Sequence, residues 1–322
     1  MQWKDLKASL LEAGSARLSG EPADDFIAKS TAGPGAGGKG AVFFAMGRHR
    51  VKFALNPLSP IEIVHRGGGV ADLYIKDQQI PGRLLRPGLH CPDQAFITVT
   101  EGCIFSCRYC SVPRLAGRRK TVKEIMDLVE SVRHRVSAIA LTSGVAESVK
   151  EEEAYVCEVI KHLTFFDLPI GVSIYPTEKT PEKLHDLGVT EVKFNIEAAT
   201  PELFSRVCPG LDYDLLWRVL DRSVELFGKG RVFSNVIIGI GETDAELEDC
   251  IDKLTAHGVI PVLRPLNPVA GYSGTSRPSA ERLKKIYAMH ARALAREELD
   301  PLGALTMCTN CAGCDLVPGR DE

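Results

Sequence analysis

From about residue 95 onward, short apolar runs alternate with longer amphipathic stretches. The runs are AFITVT (95–100), SAIALT (137–142), PIGVSIY (169–175), EVKFN (191–195), VFSNVIIGI (232–240) and GVIPVLRPL (258–266). They are β-branched and nearly continuous in hydrophobicity, which is how strands covered on both faces read. The stretches between them carry helix start signals. Thr121 with Glu124 makes a capping-box pattern ahead of Ile125, Met126 and Val129, and Thr243 with Glu246 repeats it ahead of Leu247, Cys250, Ile251 and Leu254. Thr180 and Thr200 each precede a proline suited to a first helical position. Six strand–helix units at this spacing predict an α/β fold with a parallel sheet, a complete or partial (β/α)6 barrel.

Outside this region the pattern changes. A helix at 3–13 leads into the glycine-rich AGPGAGGKG, and AVFFAM, HRVKFAL, IEIV and ADLYIKD then read as four short strands, a small β subdomain or a flap over the barrel. After residue 279, Leu283, Ile286, Tyr287, His290 and Leu294 form one apolar helical stripe, which makes His290 a core-edge residue and not a ligand. The expected domains are 1–94 (helix and small β subdomain), 95–278 (barrel) and 279–322 (helix and cysteine-containing tail). Gly33–Gly40 nearly spells a phosphate-binding loop. Gly40 stands in place of the metal-binding Ser or Thr, however, and a strand follows where a helix is needed, so a flexible or substrate-covering loop is expected.

The chain has 322 residues, 44% of them hydrophobic, enough for a sizeable core without staples. Its net charge of −3 gives no electrostatic case for nucleic acid, and the basic run RLAGRRK (Arg114–Lys120) is expected to be a solvated loop. No apolar run approaches membrane-spanning length. MQWKDLKASLLEAG does not read as a signal peptide, so a cytoplasmic, reducing setting is expected, and ten cysteines there suggest metal before disulfides.

Three of those cysteines, Cys103, Cys107 and Cys110, follow the first barrel strand directly, at the end where such folds place their chemistry. Three thiolates in one short loop can wrap a cubane iron–sulfur cluster and leave one iron open. The alternatives are zinc or unpaired free thiols. Zinc would want a fourth ligand nearby, and none of the eight histidines lies in the loop. The tail CTNCAGCDL holds Cys308, Cys311 and Cys314 at even spacing, compatible with a second cluster, a three-thiol zinc hook or a disordered tail. Cys91, Cys157, Cys208 and Cys250 are isolated in sequence, with Cys157 and Cys250 on apolar helix faces.

The motif C-x3-C-x2-C, with Tyr109 before its last cysteine, at the end of a first barrel strand resembles the signature of the radical S-adenosylmethionine (SAM) superfamily. The resemblance implies that Cys103, Cys107 and Cys110 hold a 4Fe-4S cluster whose open iron is chelated by SAM. Reductive cleavage of SAM, with an electron from a ferredoxin or flavodoxin, would then give a 5′-deoxyadenosyl radical. It further implies that Tyr109 lies near the adenine, that Ser143 and Gly144 stand where the superfamily receives the SAM ammonium, and that FSNVIIGIGETD supplies the fifth-strand pattern with Ile237, Gly239 and Glu242.

The span from KFNIEAATPELF to GIGETD is similar to biotin synthase and lipoyl synthase, with Asn195 matching an Asn of their fourth strand. Ile196 and Glu197 stand where those enzymes have His and Asn, and Cys208 where lipoyl synthases have Arg. Glu197 is expected to accept from the SAM ribose diol, and Arg206 is the nearest substitute for the carboxylate contact. With its tail triad the chain is most similar to a component of the two-protein lipoyl synthases. That resemblance implies a second 4Fe-4S cluster on Cys308, Cys311 and Cys314, consumed as sulfur donor, with sulfur inserted into an unactivated C–H bond of an octanoylated lipoyl-carrier protein or peptide. A second radical SAM subunit would be the partner, and neither nucleic acid nor membrane takes part. The alternatives are carbon-skeleton rearrangement or methylation, a biotin-synthase-like sulfur transfer to another substrate, and an iron–sulfur scaffold with no turnover.

Overall fold

The computed structural model describes residues 2–28, 40–114, 117–267 and 277–322. Helix α1 (Trp3–Ala13) ends at Gly14, whose positive φ of 63° lets its N–H bond back to the Leu10 carbonyl. Six strands follow: β1 (Ser15–Gly20), β2 (Ala41–Met46), β3 (His49–Leu55), β4 (Glu62–His65), β5 (Val70–Ile75) and β6 (Gln78–Leu85). They close into a barrel in the order β1-β3-β2-β6-β5-β4. The sequence pattern marks only four of them. β1 (SARLSG) and β6 (QQIPGRLL) are largely polar or interrupted by Pro and Gly, and they are recruited because closure removes unpaired edges. Only Gly40 of the glycine-rich run 33–40 is among the described residues, so the loop reading made there lies outside them.

The second sheet is the expected one. Strands β7 (Gln94–Thr98), β8 (Ala138–Thr142), β9 (Ile170–Ser173), β10 (Glu191–Lys193), β11 (Val232–Ile238) and β12 (Ile260–Pro265) lie side by side in chain order. All five pairings are parallel. Helices α2 (Val122–Val132), α3 (Val149–Leu163), α4 (Thr180–Asp186), α5 (Pro201–Val207), α6 (Tyr213–Phe227), α7 (Asp244–Ala256) and α8 (Ala280–Arg296) accompany them, so this is an α/β fold with a partial parallel barrel. Both capping boxes form, at Thr121 and Thr243, and Thr200 caps α5. Thr180 enters α4 as its first residue, because its hydroxyl is taken by buried Glu153.

His290 on α8 is 2% exposed, and burial drives its imidazole down to about 3, so it is a neutral core residue. The basic run is less solvated than expected. Arg119 pairs at 2.9 Å with Glu152, which is buried, while Lys120 pairs with Glu101 and Arg118 with Glu124.

The tail after α8 turns back into the open barrel from the N-terminal ends of its strands. Glu191, the first residue of β10 and fully buried, accepts from the Leu305 and Thr306 N–H groups at 2.9 and 2.8 Å and from the Thr306 hydroxyl at 2.7 Å. Gly171 in β9 makes room for this approach, since a Cβ there would stand 2.1 Å from Thr306 Oγ1. The chain end is locked to α1. Lys7 Nζ lies 2.7 Å from Asp321 and 2.6 Å from the Ala312 carbonyl, and Trp3 Nε1 donates to Asp321 at 2.8 Å, all buried. The Lys52 N–H adds a 2.7 Å bond from β3 to the Gly313 carbonyl. The tail is therefore held by α1, the closed barrel and the partial barrel together.

Candidate active site

Cys103, Cys107 and Cys110 lie in the loop after β7, all partly buried. Backbone bonds pin this loop to its neighbours: Ile104 N–H to the Val145 carbonyl at 2.8 Å, Arg108 N–H to Val207 at 2.9 Å and Glu101 N–H to Arg118 at 3.1 Å. Beneath it, the buried Glu152 carboxylate accepts from Thr100 Oγ1 at 2.7 Å, Ser143 Oγ at 2.6 Å and Arg119 at 2.9 Å, tying the ends of β7 and β8 to α3. Ser143 is thereby committed to the scaffold. Gly144 packs on the cysteine loop so closely that a Cβ would fall 2.0 Å from the Gly102 carbonyl, while its N–H bonds to the Thr100 carbonyl.

Cys208, isolated in sequence, joins this loop. Its sulfur lies 3.6 Å from Tyr109 Oη and hydrogen-bonds to Cys107, which holds the Cys107 thiol below its ordinary range against the opposing effect of burial. Burial pushes Cys110 up to about 12, so iron would have to displace its proton. Tyr109 is 4% exposed and faces the barrel interior beside Glu197.

Glu197 stands just past β10 with φ of +55°, a left-handed conformation that a non-glycine residue adopts only where its surroundings hold it. Here β11 does the holding: the Glu197 N–H bonds to the Asn235 carbonyl at 2.8 Å and its carbonyl accepts from Ile237 at 2.9 Å. Burial, partly offset by Lys193, raises its carboxyl to about 7. Oε2 of Glu197, Oδ1 of Asn235 and Oγ1 of Thr98 are buried without a hydrogen-bond partner among the described residues. Such orphaned acceptors are costly unless something else satisfies them. Asn195 uses its Oδ1 to accept from the Asn235 N–H at 3.2 Å.

The turn after β11 is organised by Glu242, whose carboxylate accepts from the Gly239, Ile240 and Gly241 N–H groups at 2.7, 3.0 and 3.2 Å and pairs with Arg282 at 2.8 Å. It is a loop builder with little capacity left for a ligand. Arg206, exposed on α5, lies against this turn, its guanidinium 3.1 Å from where a Gly241 Cβ would be.

Below this region a cavity of about 150 Å³ runs to the tail. Tyr109, Asn235 and Ile237 line one part of it, and Cys308, Cys311, Cys314 and Cys91 another. Cys308–Cys311 form one helical turn, α9. Burial pushes the Cys308 thiol up, but Lys193, 3.5 Å from its sulfur, and Arg264 outweigh burial and leave it below its ordinary value. Cys311 is brought down to about 7, first by a hydrogen bond from Cys91. Thiolates are the metal-binding form, so this basic lining favours ligation. Sequence separation concealed Cys91 and Cys208, and neither has a neighbouring cysteine within its own loop to mark it.

Among the described residues no group of three His, Cys, Asp or Glu side chains converges as a single-ion site. A cubane does not require that, because each thiolate binds a different iron at a separate corner.

The sequence pattern of the Radical SAM superfamily matches residues 97–254, from β7 through α7. The chain carries a radical SAM domain. The chain is 28% identical over 165 residues to bacteriochlorophyllide c C-7(1)-hydroxylase of Chlorobaculum limnaeum, covering 48% of this chain and 38% of that protein. It is 25% identical over 174 residues to lipoyl synthase of Micrococcus luteus, covering 52% of this chain and 51% of that protein. Among solved structures, the FeFe-hydrogenase maturase HydG from Carboxydothermus hydrogenoformans superposes with a TM-score of 0.53 at 25% identity, over 63% of this chain and 52% of that one. The matched region thus spans about half or less of these relatives, and their names describe different reactions.

A 4Fe-4S cluster and SAM are the cofactors this family implies. The site fits them: three thiols on a pinned loop can bind three irons, and the unpartnered Glu197, Asn235 and Thr98 oxygens offer acceptors to a polar cosubstrate. No helix among the described residues is long and apolar enough to cross a membrane.

Proposed function

We propose that this radical SAM enzyme inserts sulfur into an unactivated C–H bond, drawing the sulfur from an iron–sulfur cluster held by Cys308, Cys311 and Cys314. The observation that carries this reading is the shared cavity, with Tyr109 and Asn235 toward the first cysteine loop and the tail triad on another wall. When bound, the first cluster and SAM supply a radical able to take hydrogen from carbon, which an alkyl C–H bond requires because it offers no acidic proton. Cys103, Cys107 and Cys110 would hold that cluster, while Glu197 and Asn235 present acceptors and Arg206 and the Gly239 turn close the side. Lys193 and Arg264 draw the Cys308 thiol toward its ligating form. Leu11, Phe43, Ala54, Phe96 and Leu266 give the cavity apolar walls that suit an alkyl chain.

The substrate these features fit best is an octanoyl chain on a lipoyl-carrier protein or peptide, with a second radical SAM subunit sharing the two sulfur insertions and a ferredoxin or flavodoxin as electron source. A lipoyl synthase among the relatives, at 25% identity, supports this choice. The test is to load the tail cluster with heavy sulfide and to incubate the holoenzyme, with its partner subunit, on octanoylated carrier. Mass spectrometry is expected to find the label in product, with about one turnover before the cluster is spent. Many turnovers without loss of the cluster, or carbon–sulfur bonds formed by a Cys308, Cys311, Cys314→Ala variant, would refute the donor role in favour of rearrangement or methylation.

A further inference from the structure

Cys91 lies in the connection between β6 and β7, more than 200 positions from the tail, yet its side chain is 5% exposed and packs with Phe43 and Cys311. Its thiol contacts that of Cys311 and lines the same cavity as Cys308 and Cys314. The local backbone sets this position. Cys91 bridges to Gln94, and its carbonyl accepts from the Gly88 N–H at 2.6 Å. Gln94 then serves both elements: its Oε1 is 3.7 Å from the Cys91 sulfur and its Nε2 is 3.5 Å from the Met307 carbonyl, one residue before Cys308. One side chain thus registers the Cys91 loop against the start of the tail triad.

We propose that Cys91 is the fourth protein ligand of the cluster held by Cys308, Cys311 and Cys314, an inference that rests on the tail-cluster reading above. A cubane has four iron corners and the tail supplies three thiolates. A fourth thiol already on the wall of the same cavity completes the set without recruiting an oxygen or nitrogen donor. The electrostatics accommodate it, because Lys52, Lys193 and Arg264 line this cavity and offset the roughly two net negative charges of a four-thiolate cubane. The four ligands come from two elements. Three sit in one short segment, whereas Cys91 alone arrives from the linker of the N-terminal barrel, and it is the ligand that can leave without unseating the others. Cys91 would complete the protein ligand set of such a cluster, and as the one ligand from outside the tail it would be the one free to exchange.

The experiment uses the full chain with Cys103, Cys107 and Cys110→Ala, which isolates the tail cluster, and compares it with the same chain carrying Cys91→Ala or Cys91→Ser. After anaerobic reconstitution with iron and sulfide, the parent is expected to hold about four irons and to resist mild ferricyanide oxidation, as a fully ligated cubane does. With Cys91→Ala, either the cluster loses one iron on oxidation and gives the electron paramagnetic resonance signal of a three-iron cluster, or it is lost while circular dichroism retains the native fold. Both outcomes support ligation. With Cys91→Ser, a four-iron cluster with a changed reduced spectrum is expected, and this variant decides the matter where Cys91→Ala fails to fold. Spectra and oxidation resistance identical to the parent in the Cys91 variants overturn the fourth-ligand assignment alone. A parent chain that binds no iron overturns the tail-cluster reading and this inference together.

Discussion

Lys193 Nζ lies 3.5 Å from the Cys308 sulfur, so the last residue of β10 and the first cysteine of the tail meet across 115 positions of chain. Lys193 is 6% exposed and brings a positive charge into the barrel where negative thiolate charge would gather.

Replacing Lys193 by Met keeps the aliphatic volume and removes the charge. A cation beside a cluster favours its reduced, more negative state, so the proposed tail cluster is expected in Lys193→Met to have a more negative potential, by tens of millivolts, roughly the 59 mV of a tenfold one-electron change. A redox titration followed by electron paramagnetic resonance checks this; an unchanged or more positive potential would contradict the role given to Lys193.

The two triads should load independently. Reconstituted wild type is expected to hold about eight irons, and Cys103, Cys107, Cys110→Ala about four with no cleavage of SAM. The tail variant is expected to keep SAM cleavage, because its cysteines lie on a different segment from the first loop. Iron analysis and detection of 5′-deoxyadenosine separate these cases.

Glu197 should make SAM binding pH-dependent. Its carboxyl is raised to about 7 in the folded protein by burial, so its ionisation works against the fold. This contribution to stability is full below the ordinary carboxylate value near 4.5 and is lost as pH rises through about 7. Free enzyme is therefore expected to lose stability relative to Glu197→Gln between pH 5 and 8, on the order of 1.4 kcal/mol per unit of raised pKa. SAM hydroxyls donating to the carboxylate favour the ionised form, so affinity is expected to rise with pH over that interval and to become flat in Glu197→Gln. Glu197→Ala should weaken SAM by about 1–3 kcal/mol at pH 8. Calorimetry across pH measures both; wild-type affinity in Glu197→Ala would remove Glu197 from the site.

The Lys7–Asp321 pair is a structural lock. Both side chains are buried at 2.7 Å, and Asp321 also accepts from Trp3 Nε1 and the Val317 N–H. Removing one partner of a buried pair leaves an uncompensated charge, so Asp321→Ala is expected to cost about 3–5 kcal/mol in chemical denaturation. If Cys308, Cys311 and Cys314 bind the proposed cluster, its iron should fall with it, since Lys7 also holds the Ala312 carbonyl between Cys311 and Cys314.

By itself, the sequence determined what local chemistry and periodicity control. The six β-branched runs became β7–β12 within one or two residues, because strands covered on both faces need near-continuous apolar side chains, and the capping signals at Thr121, Thr200 and Thr243 need only a few consecutive residues. The two cysteine triads stood out for the same reason, as each lies within one short segment of the chain. Tertiary structure alone decided everything built from distant segments. The polar strands β1 and β6 exist because a barrel closes around them, and RLAGRRK is paired because Glu101, Glu124 and Glu152 come to meet it. Cys208 reaches Cys107 when α5 packs on the first cysteine loop, and Cys91 reaches Cys311 and Lys193 reaches Cys308 when the tail folds back over Gly171 into the open barrel. Such contacts leave no periodic trace, because side chains a hundred or more residues apart are brought together by burial of the intervening chain and not by any pattern of their own.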